Sequence, residues 1–290
     1  DYTYTGDGGI SNYYLGTSIK FHKMLSLGLN ASYLFGGLNR NKTVDFNDES
    51  IFNVNEINRT NISGISLKTG LLFSTDVGED QHISIGVIYQ DNSNLNARRT
   101  LLGTTYEINN SSLIIKDTFQ SVIDTGSLVL PNQISAGILY STDKWMLIAN
   151  YTSQNWEDYQ MKYNDEIETD SLQNSMCVAA GLQYTPDNSS VTKYWKRINY
   201  RVGASYNKSY LRIMDSPLLE RSLTFGLGIP VKKSNTFYNV SIEVGERGIT
   251  DNNFHFFSTK TNYKLIKEQF IRFSFGVTFK GIWFVKRKYD

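Results

Sequence analysis

The chain has 290 residues, 29 Lys+Arg against 28 Asp+Glu, and 40% hydrophobic residues. A net charge of +1 gives no electrostatic footprint for a nucleic acid, and the single cysteine, Cys177, excludes a disulfide framework or a cysteine metal site. Mean hydropathy is -0.35 and no run approaches the roughly 18 apolar residues of a membrane helix, yet 19 Tyr, 16 Phe and 22 Gly against 4 Pro suit alternating strands with aromatic girdles.

The chain opens on Asp1, with no charged start or apolar stretch of a signal peptide, so it reads as beginning after a cleavage or a truncation. A first strand is predicted over residues 10–20. Over 24–36, Leu25, Leu27, Leu29, Ala31, Tyr33 and Phe35 take one face while Ser26, Gly28, Asn30 and Ser32 take the other. The pattern returns with Ile83, Ile85, Val87 and Tyr89, then with Ile134, Ala136, Ile138 and Tyr140. Val178, Ala180, Leu182 and Tyr184 follow, and then Ile198, Tyr200, Val202, Ala204 and Tyr206 against Asn199, Arg201, Gly203 and Ser205. Leu223, Phe225, Leu227 and Ile229 oppose Thr224, Gly226 and Gly228; Phe273, Phe275, Val277 and Phe279 oppose Arg272, Ser274, Gly276 and Thr278.

Each stretch has one apolar and one small or polar side. A soluble sandwich shows such alternation too. Two features favour a membrane wall: apolar faces that end in Tyr or Phe, as at a lipid–water interface, and strands on the order of 10 residues, where a tilted membrane strand needs about 9–11. Connections also alternate in length. Short ones fall near 21–23, 76–81, 141–144, 186–195 and 232–235, and long loops are predicted over 37–60, 91–131, 155–174, 208–220 and 248–267. That is the layout of an outer-membrane barrel, with short turns and the C-terminus in the periplasm and long loops outside.

The fold class is therefore all-β, a transmembrane antiparallel β-barrel with about 12–14 strands in the full protein, of which about eleven are counted here. An open edge in lipid leaves backbone groups unsatisfied, so the sheet must close. An even barrel with both termini in the periplasm then takes an odd number of strands ahead of residue 10. The expectation is a single barrel domain over 1–290, lacking its N-terminal strands.

Four segments carry a resemblance: WMLIANYTSQNWEDY at 145–159, RSLTFGLGIPV at 221–231, NVSIEVGERG at 239–248, and EQFIRFSFGVTFKGIWFVKRKYD at 268–290. Together they resemble the C-terminal two thirds of the FadL-like outer-membrane transport proteins (OmpP1/FadL/TodX type) in the form common in Bacteroidota. The closing WF-x-KRKY element is the most specific. The resemblance implies a fourteen-stranded barrel with an N-terminal hatch, not in this sequence, that passes hydrophobic small molecules passively across the outer membrane through a wall opening. Similar barrels in Bacteroidota also resemble non-transporting accessory subunits of outer-membrane machines, in type IX secretion or barrel assembly. The implied partners are outer-membrane lipid, a hydrophobic ligand or lipid, and other outer-membrane or periplasmic proteins.

Lys68, Arg201, Glu243 and Arg272 fall on the predicted lumen faces, as a polar path or, more simply, a structural network. Gly28, Gly86, Gly137, Gly181, Gly203, Gly226 and Gly276 recur there and relieve crowding in a curved wall. Trp156 and Tyr159 read as an aromatic belt or a partner anchor. Lys286, Arg287 and Lys288 would meet headgroups or a periplasmic partner. The acidic residues Asp45, Asp48, Glu49, Glu157, Asp158, Asp165, Glu166 and Glu168 match no calcium loop, and triplets at Asn30, Asn61 and Asn150 arise by chance in an Asn-rich chain. His22, His82 and His255 form no zinc motif, and Gly226-x-Gly228 lies inside a strand. No catalytic residue, metal or cofactor is expected, and the chain is not read as an enzyme.

Overall fold

Residues that alternate between apolar and small polar side chains are stable as strands only where their two faces meet different surroundings. The computed structural model describes residues 1–279 except 49, 110, 111, 165, 169–171, 214, 215, 232, 233, 235, 249, 250, 257, 258, 265 and 266. Its strands are β1 (Tyr2–Lys20), β2 (Leu25–Val44), β3 (Asn53–Asp76), β4 (His82–Gln90), β5 (Ser93–Asn109), β6 (Ser112–Leu130), β7 (Gln133–Ser141), β8 (Trp145–Gln154), β9 (Gln160–Tyr163) and β10 (Glu166–Glu168). The second half adds β11 (Ser175–Tyr184), β12 (Asn199–Ile213), β13 (Ser216–Pro230), β14 (Phe237–Gly248), β15 (Asp251–Phe256), β16 (Thr259–Lys264) and β17 (Lys267–Thr278). One 3-10 turn, Trp156–Asp158, stands between β8 and β9, and another, Tyr194–Arg197, precedes β12. Fifteen strands make one antiparallel sheet; β15 and β16 pair only with each other.

Register joins several of these strands end to end. Lys68 of β3 faces Gln90 of β4, and Ser63 of the same strand faces Asn96 of β5, so β4 and β5 are two parts of one long strand. In the same way β6 runs into β7, and β8 into β9, beside one another. The sheet is a meander of wall strands, all antiparallel to their neighbours. The three interruptions, at 91–92, 131–132 and 155–159, share one height, because Gln90 pairs with Gln133 and Gln133 with Gln154. Pro131 lacks the N–H that a ladder needs there.

Below this seam β4, β7, β8 and β11 are nine or ten residues long. At about 3.3 Å per residue and a tilt near 45°, that spans roughly 21–24 Å, close to the ~25 Å apolar band of a barrel in lipid. The outward rows fit. Leu223, Val244 and Ile271 lie side by side, then Phe225, Ile242 and Phe273, then Leu227, Val240 and Phe275. Phe273 is 76% exposed and Phe275 71%. Aromatic pairs mark the edges: Trp145 on Tyr184 at 4.3 Å beside the short turns, and Tyr13 on Phe35 at 5.3 Å just above the seam.

Above the seam the solvent changes and so does the pattern. The lumen-side face of β2, β3, β5, β6 and β9 carries its own core of Ile62, Leu95, Ala97, Leu128 and Tyr163, with Leu34, Leu38 and Met161 packed on it. Leu95 is 1% exposed. The outer face is polar, with Asn39, Arg59 and Asn61 and an Arg59–Asn39 hydrogen bond of 3.1 Å. The predicted long loops are therefore largely strand: residues 37–44, 53–60, 93–109, 112–130, 208–213 and 216–220 all lie in strands, and β1 begins at Tyr2 rather than at residue 10. Where the outer face meets water and not lipid, the apolar contrast fades although backbone pairing continues.

Tyr106 belongs to this upper wall. Its hydroxyl donates to Asp45 at 2.5 Å, and burial first, then that carboxylate, push its phenol up to about 12. A group whose folded pKa is raised stabilises below its unfolded value, near 10, and loses that contribution as pH climbs through 10 to 12. The upper wall should thus loosen above pH 10, in step with a late component of the phenolate absorbance change that Tyr106→Phe removes.

The sheet is open among the described residues: β1 and β17 are its edges through the lipid band, and the short β10 is a further edge above the seam. β1 and β17 both run from the long-loop end to the short-turn end. Direct pairing between them would be parallel, so antiparallel closure takes an odd number of intervening strands, whichever chain supplies them.

Candidate functional site

The inner wall is the surface a barrel devotes to function, and its rows follow from register. Three zones differ in chemistry.

At the seam the broken ladder is stitched by side chains. Asn132 N donates to Asn92 Oδ1 at 2.7 Å, Gln154 Nε2 to the Pro131 carbonyl at 3.2 Å, and Gln90 Nε2 and Ser93 Oγ both reach Ser66 Oγ, at 3.0 and 2.8 Å. The ladder is interrupted here but bridged. Lys68 sits in this row beside Asn30, half-buried, and makes no ion pair among the described residues. Just below it lie two shallow troughs. One of about 400 Å³ is lined by Gly16, Gly28, Asn30 and Lys68. The other, of about 580 Å³, is lined by Gly28, Gly70, Gly86 and Gly137 with Leu72 and Ile88. Glycine makes the floor: a Cβ on Gly137 would stand 2.6 Å from Asn150 Oδ1.

Toward the short turns, β11 to β17 carry a flat polar lattice. Arg201 Nε donates to Gln183 Oε1 and Nη1 to Asn239 Oδ1, both at 2.8 Å. To reach Asn239 it must cross β13, where Gly226 and Gly228 leave room; a Cβ on Gly228 would lie 3.0 Å from Arg201 Nη2. Asn239 Nδ2 passes the chain on to Thr278 Oγ1 at 2.9 Å. Arg272 Nη1 pairs with Glu243 at 2.8 Å, one inward row away. Of the four predicted lumen charges, then, Glu243 and Arg272 meet each other, Arg201 is held by amides close by, and Lys68 stands alone on another part of the wall.

The third zone is the upper core. Asp124, 6% exposed, accepts from Arg99 Nη2 at 2.9 Å and from Asn164 Nδ2 at 2.6 Å. The Arg99 guanidinium lies 4.0 Å from the centre of the Tyr163 ring.

A family model described as BamG matches residues 1–290. The chain belongs to the BamG family. No curated protein matches it. Among solved structures, a FadL homologue of Pseudomonas aeruginosa is similar to this BamG-family chain at 12% identity with a TM-score of 0.59, over 94% of this chain and 68% of that one. The RagAB peptide importer in its open-open state is similar at 9% identity with a TM-score of 0.52, over 94% of this chain and 34% of that one. The toluene transporter TbuX of Ralstonia pickettii aligns at 12% identity over 92% of this chain and 67% of that one, with a TM-score of 0.47. At 12% identity the likeness to the FadL homologue is one of fold: an outer-membrane β-barrel of FadL-like type.

One cluster in the BamG-family chain escaped the sequence reading. Asp76 Oδ1 lies 2.7 Å from His82 Nδ1, and His82 Nε2 lies 3.0 Å from both Ser74 Oγ and Ser84 Oγ. The signal was available, since a hairpin folded about residue 79 brings 76 onto 82 and 74 onto 84. The order resembles an acid–base–hydroxyl relay. Ser74 Oγ and Ser84 Oγ also lie 2.9 Å apart, so the four side chains bond to one another across the hairpin. The cluster is a hydrogen-bonded clasp across the β3–β4 turn. Trp156 stacks on Tyr210 at 4.5 Å and tilts against Tyr159 at 6.1 Å, placing both predicted aromatics at the seam. Lys286, Arg287 and Lys288 lie outside the described residues.

Proposed function

We propose that this chain is a non-transporting accessory barrel of an outer-membrane protein complex, of the kind found in barrel assembly or type IX secretion, with its short turns in the periplasm and its upper wall outside the cell. The observation that carries this reading is the upper wall itself. It rises past the lipid band, its inner face carries a buried apolar cluster around Leu95, and the described part of its β5–β6 hairpin exposes Ile108, Leu113 and Ile115. A passage needs space where this wall has core, and apolar side chains that stand in water are what a docking element presents. The BamG match over residues 1–290 agrees with it better than a likeness of fold alone does.

A second reading, passive transport of hydrophobic small molecules, draws on the two glycine-floored troughs and on the interrupted ladder, although the interruption is bridged by hydrogen bonds. Purification in mild detergent with mass spectrometry of the intact assembly separates the two. The accessory reading expects a stoichiometric protein partner, and unchanged uptake of a hydrophobic probe when the gene is deleted. A lone chain carrying a small hydrophobic ligand, with uptake lost on deletion, would overturn it in favour of transport.

A further inference from the structure

β6 is one strand with two different edges. On one side it pairs with β5 along its whole length; on the other, β9 covers only Gly126–Val129. The cover stops because Asn164, at φ 45, turns the chain back into β10. The next stretch of the edge, Gln120–Thr125, keeps regular register with β5, from Gln120 opposite Gly103 to Thr125 opposite Arg98, and has no partner strand among the described residues. Beyond it the register slips between Gly103 and Thr104 and again between Thr105 and Tyr106, and such bulges end a regular edge.

Resting on the accessory reading, we infer that Gln120–Thr125 is a docking edge that takes an extended strand from a different protein, continuing the line that β9 begins. A free edge offers a row of N–H and C=O groups to an incoming strand. The devices that usually blunt an edge are missing from the exposed part of this stretch: Gln120, Ser121, Val122, Ile123 and Thr125 include no charge and no proline, and the charge of Asp124 is turned inward onto Arg99. Ile123 is 60% exposed. Lipid does not cover it, because Ile123 stands eight residues above the seam at Pro131, roughly 18 Å higher at the same rise and tilt. A partner strand with an apolar residue beside Ile123 would gain a cross-strand pair and shield it from water.

A second copy of this chain is the wrong occupant. Two copies in one membrane are related by a two-fold along the membrane normal, which leaves the upward or downward sense of every strand unchanged. Their β6 edges would meet in parallel sense, the weaker pairing, and at crossed tilts. The occupant that this edge suits is a strand of another protein on the long-loop side.

The test uses the full chain in its native membrane, with a photo-crosslinking residue at Ser121, Ile123 or, as a control under β9, Ser127. Expected are adducts from 121 and 123 to one peptide of one protein, at two residues two positions apart, as strand pairing requires. The 127 control should give none. Ile123→Lys should lower the yield of that protein about tenfold, with the variant's heat-modifiable migration showing an intact barrel. Adducts at helical spacing, adducts to a second copy, or full partner yield with Ile123→Lys would overturn the docking edge while leaving an accessory role intact. A chain that purifies with no partner at all would overturn both.

Discussion

An arginine at position 225 is expected to destabilise the folded barrel by about 2–4 kcal/mol in lipid, while an arginine at the neighbouring position 224 is tolerated. Phe225 projects outward near mid-height of the apolar band, level with Phe273 across β13, β14 and β17. Its replacement would place a charge in hydrocarbon. Thr224 points the other way, between Gly203 and Glu243, so Thr224→Arg gains an acidic neighbour in a wet lumen. Urea unfolding of the two variants in vesicles reads the difference. Equal destabilisation by both would mean that the sheet does not stand in a bilayer with this face outward, and the membrane assignment would go with it.

The second large effect is Asp124→Ala. Its carboxylate is the acceptor for both Arg99 and Asn164, and Arg99 is nearly as enclosed, with 14% of its side chain exposed. Removing one member of a buried pair strips the other charge of its carboxylate partner, which costs on the order of 3–5 kcal/mol. The loss should stay local. Limited proteolysis is expected to open cuts within residues 93–130, while the lipid-embedded strands stay protected and the barrel keeps its heat-modifiable migration. Arg272→Ala is the contrast: the arginine of that pair is 59% exposed, and such a pair contributes about 0–1 kcal/mol. If Asp124→Ala is as quiet as Arg272→Ala, the upper wall does not depend on its buried ion pair.

Strands in the lipid band were legible because two solvents write opposite preferences on alternate residues; Leu223–Thr224–Phe225–Gly226 can be read in only one register. The same chain became illegible at the seam. Asn39, Asn61 and Arg59 on one side of the upper wall look like loop residues, yet Ile62, Ala97 and Leu128 on the other are core. Their alternation is diluted by Gly64 and Gly126, which carry no side chain, and by bulges that shift the period in β6. Lys68, Arg201, Glu243 and Arg272 share one face of the sheet, since face follows from parity alone. Their partners do not follow from it, because Arg201 reaches across a whole strand to Asn239, and nothing local in sequence marks that distance. Asp76 with His82, by contrast, needed only the turn between them.

The three interruptions at one level divide the wall into two storeys with separate foundations. Residues below answer to hydrocarbon thickness, which fixes how long each strand must be. Residues above answer to nothing of the kind, so the upper storey is free to grow, shrink or change its face from one relative to the next without disturbing the part anchored in the bilayer.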